Sequence, residues 1–242
     1  MKNPFLTRLA LPPALLAATC SIAPVADAAR PMVTDDARIV DPGACQLETW
    51  RRFNRDSKEY WALPACNPTG NLELTLGSAE LPVEDLGLRG TTRTVQIQGK
   101  TLFKTLETNS YGYGLAVGGI VRSRGAADEV PNYYAYLPYT RSWLDDRVVM
   151  HVNVGVQREG VDPLNSLTWG VGTEIAVTRR AYVIAESFGN NHTLRSYQGG
   201  MRVWLVPNHV QIDATVGAQA GDLGASRWFS IGMRLISPPF LK

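Results

Sequence analysis

Three observations predict an all-β protein built as a closed, antiparallel, up-and-down transmembrane β-barrel of about twelve strands. Apolar residues recur at every second position over stretches longer than the strands of most soluble sandwiches. Short and long connections between these stretches alternate in strict order, as in an up-and-down membrane barrel. The positions between the apolar residues are small or polar and carry few charges, which suits a confined lumen better than a solvated surface.

The stretch 146–158 shows the alternation most clearly. Its apolar row consists of Val148, Met150, Val152, Val154 and Val156, and the row between them of His151, Asn153, Gly155 and Gln157. Period two gives a strand with one apolar and one polar face. The stretch exceeds the roughly 9 to 11 residues that a membrane-spanning strand needs. The direction in which the apolar row points therefore decides between a membrane barrel and a soluble protein.

The same alternation predicts the other strands, in the order of the chain. They lie at 45–54, 57–66, 70–80, 91–107, 110–122, 132–142, 146–158, 166–178, 180–189, 195–205, 208–217 and 226–236. No stretch of useful length has the helical period, and no apolar run after the first 28 residues approaches the roughly 18 residues of a membrane helix. Any membrane span must then be a closed barrel, because lipid offers no partner to free backbone groups.

The faces of these strands can be assigned from the pattern. The apolar rows include Leu72, Leu74 and Leu76; Tyr111, Tyr113, Leu115 and Val117; Tyr197, Met201, Val203 and Leu205; Val210, Ile212, Ala214 and Val216; and Phe229, Ile231, Met233 and Leu235. Aromatic residues near predicted strand ends are typical of interface girdles. The candidates are Tyr111, Tyr139, Trp143, Trp169, Phe188, Tyr197, Trp204 and Trp228.

The connections support the same topology. Short ones are predicted at 107–110, 143–146, 178–180 and 206–208, and longer ones, rich in Gly, Asp, Asn or Pro, at 81–90, 123–130, 159–165, 190–194 and 218–225. Tight periplasmic turns and longer outer loops produce this order in membrane barrels.

The first hairpin carries two cysteines and several charges. If the turn is centred on Arg55 and Asp56, Cys45 faces Cys66 and Trp50 faces Trp61, which predicts a disulfide in an exported protein. Two free buried thiols are the alternative. Because charged residues in 45–66 would resist lipid, this hairpin either begins a twelve-stranded barrel or lies outside the membrane and leaves ten strands.

The start of the chain is typical of an export signal. Lys2 and Arg8 precede an apolar stretch, and Ala26-Asp27-Ala28 is a small-x-small cleavage site, so residues 1–28 are predicted to be a cleaved signal peptide. Residues 29–44 form a polar lead-in and residues 45–242 the barrel domain. Removing the signal lowers the formal net charge from +2 to +1, which argues against a nucleic-acid partner.

Charged residues on the polar face are the candidates for lining the lumen. They are Glu73, Lys100, Lys104, Glu174, Glu186, Arg202, Asp213 and Arg234, with His151 as a further polar candidate. Both signs occur in similar number. The residues either pair across the lumen and fix strand register or line a narrow path for a small solute.

Motifs of catalysis and ligation are absent from the sequence. No nucleophile elbow, no informative Ser-His spacing, no metal-ligand spacing and no phosphate-binding glycine loop occurs. The sequence therefore predicts no catalytic residues, no metal and no cofactor.

Five stretches resemble a poorly characterised family of outer-membrane β-barrel proteins of Gram-negative bacteria. They are 30–41 (RPMVTDDARIVD), 60–67 (YWALPACN), 143–147 (WLDDR), 204–207 (WLVP) and 227–232 (RWFSIG). The chain is more distantly similar to transporter-type barrels associated with aromatic meta-cleavage pathways. The resemblance implies an outer-membrane barrel and solute passage, and it brings no known catalytic or binding residues.

The leading hypothesis is an outer-membrane barrel that is a narrow channel or transporter for small solutes, or a mainly structural barrel. Its expected partners are outer-membrane lipid, a small solute and the barrel-insertion machinery. A soluble periplasmic lipid- or ligand-binding protein, with its apolar rows pointing inward, is the alternative. A membrane-embedded lipid hydrolase is a third hypothesis, which would need a Ser and a His in contact near one rim.

Overall fold

Twelve antiparallel strands form one closed barrel. The computed structural model describes residues 32–85, 88–123, 131–160 and 164–241, with the side chains of 83–85, 88–89 and 122–123 excepted. The strands in these residues are β1 (Cys45–Asn54), β2 (Lys58–Cys66), β3 (Glu73–Asp85), β4 (Leu88–Lys104), β5 (Tyr111–Ser123), β6 (Asn132–Trp143), β7 (Val148–Arg158), β8 (Asn165–Ala176), β9 (Ala181–Asn190), β10 (Ser196–Val206), β11 (Val210–Gln219) and β12 (Trp228–Ile236).

The barrel closes by pairing its first strand with its last. The register runs from Gln46 opposite Ile236 to Asn54 opposite Trp228, and every other strand pairs with its neighbours in sequence. The prediction of a twelve-stranded up-and-down barrel is confirmed. The ten-strand alternative is wrong, because the hairpin 45–66 is part of the wall and its charged row, including Glu48 and Glu59, faces the lumen.

The barrel is apolar outside and polar inside. On β7, Val154 and Val156 are 58% and 53% exposed on the outer face, whereas His151 and Gln157 are buried in the lumen. Exposing such a row to water would cost roughly 1.5–3 kcal/mol for each large apolar side chain, so the surface suits acyl chains. The alternative in which the apolar rows point inward is wrong.

Aromatic side chains form two belts on the outer face. One belt, near the end where β4 meets β5, contains Phe103, Tyr111, Tyr113, Tyr139 and Trp143; the other, near the opposite end, contains Tyr60, Tyr133, Trp169, Tyr197 and Phe229. The girdle prediction is wrong for Phe188 and Trp228, which are buried in the lumen. Trp204 pairs with the buried Gln211 and so belongs to the inward row as well. All three share the parity of lumen residues, which decides their direction regardless of their nearness to a strand end.

The predicted pairing of the first hairpin is confirmed. Cys45 lies opposite Cys66 and the two form a disulfide, and Trp50 stacks on Trp61 with ring centroids 5.3 Å apart. The two Trp rings point inward with Leu63 and Ala79 and form a small apolar cluster in the lumen. The hairpin is thus stapled at the end that also holds the last residue of β12.

The connections define the two ends of the barrel. The short-turn end carries the turns 67–72, 105–110, 144–147, 177–180 and 207–209 together with Cys45 and Ile236. The loop end carries the remaining connections. The predicted longer loop at 81–90 is wrong, since β3 and β4 stay paired up to Asp85 opposite Leu88. The predicted loop 123–130 and most of 159–165 lie outside the described residues.

The described residues include no helix of the length and hydropathy that a membrane span requires. The strands β3 and β4 are the longest, and the pair Glu80 and Arg93 near the loop end faces outward into an exposed ion pair of 3.3 Å.

A charge on the outer face tests the position of the apolar row. Val154→Arg is expected to lower the free energy of folding into lipid vesicles by about 2–4 kcal/mol, because an arginine would lie near the middle of the hydrocarbon. Denaturant titration in vesicles measures the change.

Val177→Arg is the matched control. Val177 is as exposed as Val154, at 59%, but lies in a turn at the barrel end. We expect a cost of about 0–1 kcal/mol there. Equal costs at the two positions would contradict the assignment of the row to the hydrocarbon.

Candidate functional site in the barrel lumen

The lumen holds the N-terminal part of the described chain. Residues 32–44, which we call the inner segment, run inside the barrel from Ala44 at the short-turn end to Met32 near mid-height. Its buried residues are Met32, Thr34, Asp35, Asp36, Ala37, Val40 and Ala44. The sequence predicts only a polar lead-in at 29–44, and the structure shows that its described part fills the barrel.

Asn67 fixes the inner segment where it enters the barrel. Its backbone N–H donates to Ala44 O at 3.0 Å, its amide Nδ2 donates to Val40 O at 2.8 Å, and its carbonyl accepts from Gly43 N at 2.8 Å. Asn67 is fully buried and follows Cys66 directly. The inner segment is therefore anchored next to the disulfide.

Two lumen carboxylates bind backbone N–H groups of the inner segment. Glu186 on β9 accepts from the N–H groups of Val33 and Thr34, each at 2.7 Å. Glu73 on β3 accepts from Val40 N at 3.0 Å. Hydrogen bonds from an N–H to a carboxylate are about twice as strong as neutral ones, so these two residues hold the segment from opposite walls.

Asp35 is the centre of the contacts between the inner segment and the wall. Its carboxylate lies 3.0 Å from Lys100 Nζ and accepts from the Tyr136 hydroxyl at 2.7 Å. The Asn153 amide, oriented so that its oxygen accepts from Asp35 N and its nitrogen donates to Asp35 O, adds contacts of 2.9 and 2.8 Å. All of these side chains lie in the lumen, where a charge without a partner is costly.

A chain of polar groups links the other wall to the segment. Arg202 pairs with Glu174, Glu174 lies 3.4 Å from His151 Nε2, and His151 Nδ1 lies 3.0 Å from the Thr140 hydroxyl. Thr140 in turn accepts from Ala37 N at 2.8 Å. The order hydroxyl, imidazole, carboxylate is that of a hydrolase triad. Here, however, the Thr140 oxygen is fully buried and holds the inner segment, so the group has no space for a substrate.

Two more of the predicted residues lie in the lumen wall. Arg234 Nε lies 2.7 Å from Gln46 Oε1 and 3.3 Å from Glu48 Oε1. Asp213 is buried opposite Arg202 in the register of β11 and β10. Together with Glu73, Lys100, His151, Glu174, Glu186 and Arg202, they form a mixed-charge interior.

Lys104 does not point into the lumen. A β-bulge between Leu102 and Lys104 shifts the register, so Lys104 pairs with the outward-facing Tyr113. Its Nζ lies 4.4 Å from the centre of the Tyr111 ring. The prediction of Lys104 as a lumen residue is wrong because the bulge reverses the alternation at the end of the strand.

A cavity of about 340 Å³ lies between the inner segment and the loop end. We call it the loop-side cavity. Its floor is Val33 and Thr34, and its wall includes Trp228, Gln157 and Thr168. The inner segment thus separates this cavity from the short-turn end.

Several residues of the site carry no recognisable signal in the sequence. Asp35 lies outside every strand, and Tyr136 belongs to the stretch Tyr133-Tyr134-Ala135-Tyr136, in which aromatic residues occupy both faces. Thr140 and Asn153 are uncharged. Only the pairing of an acidic lead-in with a lumen lysine could have suggested their contact. Among the residues described, no group of three or more His, Cys, Asp or Glu side chains is placed to hold a metal ion.

Fold and site together define a closed, internally filled β-barrel of the type found in outer membranes. The chain belongs to the family described as Uncharacterised conserved protein UCP029691, whose model matches residues 15–236. Comparison with curated proteins gave no match.

Three solved structures have a similar fold. The KdgM porin in complex with disordered oligogalacturonate has a TM-score of 0.56 at 9% identity, over 78% of this chain and 98% of its own. The NanC porin has a TM-score of 0.53 at 8% identity, over 80% and 98%. The Acinetobacter baumannii outer membrane protein Omp33 has a TM-score of 0.51 at 9% identity, over 79% and 97%. At these identities the likeness concerns the fold alone.

Removing the lysine at the centre of the site tests its role in stability. Lys100→Met is expected to lower the free energy of unfolding by about 3–5 kcal/mol, because Asp35 then keeps a buried charge without its cation. The double variant Lys100→Met with Asp35→Leu should recover part of this loss. Denaturant titration measures all three proteins.

Arg93→Met is the matched control, since Arg93 forms an exposed ion pair with Glu80 on the outer face. Its expected cost is about 0–1 kcal/mol. A Lys100→Met cost no larger than this would refute a stabilising pair between Lys100 and Asp35.

Proposed function

We propose that this protein is an outer-membrane channel for small solutes, closed in the observed state by its own inner segment. The observation that carries the proposal is the way in which the segment is held. Its contacts with the wall are hydrogen bonds and ion pairs, centred on Glu186, Lys100 and Thr140. Polar contacts of this kind can be exchanged for water, so the segment can leave without exposing a large apolar core.

Export and insertion follow the pattern of such barrels. Residues 1–28 act as a cleaved signal peptide, residues 29–44 are the lead-in whose described part is the inner segment, and residues 45–242 are the barrel domain. The barrel-insertion machinery places the apolar belt in outer-membrane lipid. The similarity of the fold to the KdgM and NanC porins supports this location and a channel role.

The lumen residues line the path once the segment has left. Glu73, Lys100, His151, Glu174, Glu186, Arg202, Asp213 and Arg234 then exchange contacts with the inner segment, and with one another, for contacts with water and solute. Passage of aromatic solutes, as the resemblance to barrels of meta-cleavage pathways implies, is a finer form of the same proposal, so benzoate belongs among the solutes tested.

A cross-link can hold the inner segment in place and so test its role. A Cβ built on Gly170 lies 3.3 Å from Thr34 Cβ, near the 3.5–4.5 Å separation typical of disulfides. In planar bilayers, the variant Thr34→Cys with Gly170→Cys should show no openings when oxidised and should conduct after reduction. Deleting residues 29–40 should give a barrel that stays open.

Two controls separate the cross-link from other effects of the reductant. The single variant Gly170→Cys and the unaltered protein, which contains the disulfide Cys45–Cys66, should conduct equally before and after reduction. Conduction by the oxidised double variant at the level of the reduced one would refute gating by the segment. Silence of every protein, the deletion included, would instead support a mainly structural barrel, which the dense pairing of His151, Glu174 and Arg202 favours.

The charges of the emptied lumen predict its ion selectivity. In the described part of the wall, inward carboxylates outnumber inward cations: Glu48, Glu59, Glu73, Glu174, Glu186 and Asp213 against Arg52, Lys100, Arg202 and Arg234. The deletion of 29–40 should therefore conduct cations in preference to anions, as measured by the reversal potential in a salt gradient. Glu186→Gln should weaken the preference, whereas Glu80→Gln on the outer face should leave it unchanged. Anion preference would contradict this account.

A further inference from the structure

We infer that the loop-side cavity is a binding site for a small neutral saccharide of one or two rings. The inference rests on the proposed function in one respect, that the loop end faces the solution from which a solute arrives. The size of the cavity is suitable, because about 340 Å³ falls in the range of roughly 300–1,000 Å³ that small-molecule sites occupy. Its floor, Val33 and Thr34, belongs to the inner segment, so a bound ligand lies directly on the residues that close the lumen.

Aromatic rings form one wall of the cavity. Trp228 and Phe188 are both buried in the lumen, with ring centroids 6.4 Å apart and planes tilted by 54°. Tyr136 lies nearer the floor. Their polar atoms are already bonded, since Trp228 Nε1 donates to Gln198 and the Tyr136 hydroxyl donates to Asp35. What these residues present to the cavity is ring surface, which packs against the C–H face of a sugar ring.

The opposite wall presents unused polar groups. Gln157 is buried on β7, and Thr168 lies beside it on β8, facing the same space. Neither side chain hydrogen-bonds to another group in the described part of the chain, which is unusual for groups so enclosed. A primary amide and a hydroxyl both donate and accept, and this suits them to the hydroxyl groups of a neutral sugar.

The charges of the cavity favour a neutral ligand over an acidic one. Arg52 lies 3.5 Å from Glu59 and 4.8 Å from the Trp228 ring, so its charge is already compensated. Glu59 also accepts from Asn54 at 2.8 Å and from Trp61 at 3.2 Å, which fixes a carboxylate in this wall. An anionic sugar would have to approach that carboxylate and would be repelled.

Calorimetric titration of the full mature chain in detergent, with maltose as the neutral disaccharide and digalacturonate and benzoate as comparisons, tests the inference. We expect saturable binding of maltose and weaker or undetectable binding of the two anions. Thr168→Val and Gln157→Leu should each weaken maltose binding about five- to tenfold, since each removes hydrogen bonds to the ligand. Thr173→Val, on the outer face of the same strand β8, should leave the affinity unchanged.

Three results would overturn the inference: no binding of maltose, tighter binding of either anion, or equal affinities of the Thr168→Val and Thr173→Val variants. Circular dichroism shows whether each variant is folded, so a loss of binding in a folded variant is informative. The outcome is independent of conduction. A protein that binds maltose but never conducts would refute the channel alone, and one that conducts without binding would refute the saccharide site alone.

Discussion

The whole structure depends on the pairing of β1 with β12. A strand surrounded by lipid must hydrogen-bond every backbone group to another strand, and only a ring of strands leaves no free edge. Closure in turn fixes the direction of each side chain, because alternate residues must face either lipid or lumen. The charged hairpin 45–66 is compatible with this ring because its polar row, including Glu48 and Glu59, turns inward.

A ring of twelve strands has an interior that something must occupy. This chain fills part of it with the inner segment and with polar side chains that contact one another. Lys100 and Asp35 show why the filling is polar: each supplies the charge that the other needs in a space shielded from water. Glu186 and Glu73 do the same for backbone N–H groups that would otherwise lack partners. The wall and the segment therefore stabilise each other.

Most of the wall can be predicted from the sequence, because period-two alternation is a local signal that each strand repeats. The partners of the hairpin and the outward direction of Val154 follow from it. Lys104 shows the limit, since a single bulge reverses the alternation without any mark in the residue pattern. The hairpin at 81–90 fails for a similar reason: Gly and Pro residues favour a loop, but two long strands that pair to their ends satisfy the backbone better. The inner segment could not be predicted, because its contacts join residues as far apart as Thr34 and Glu186 and leave no periodicity.

The anchor of the inner segment at Asn67 determines what happens after it leaves the lumen. Ala44 stays bonded beside the disulfide, so the freed peptide remains attached at the mouth of the barrel and reaches at most about 3.5 Å per residue from it. A tethered peptide re-binds its own barrel at an effective concentration of about millimolar. Reclosure is then a first-order event within one molecule, and its rate does not change with the number of barrels in the membrane.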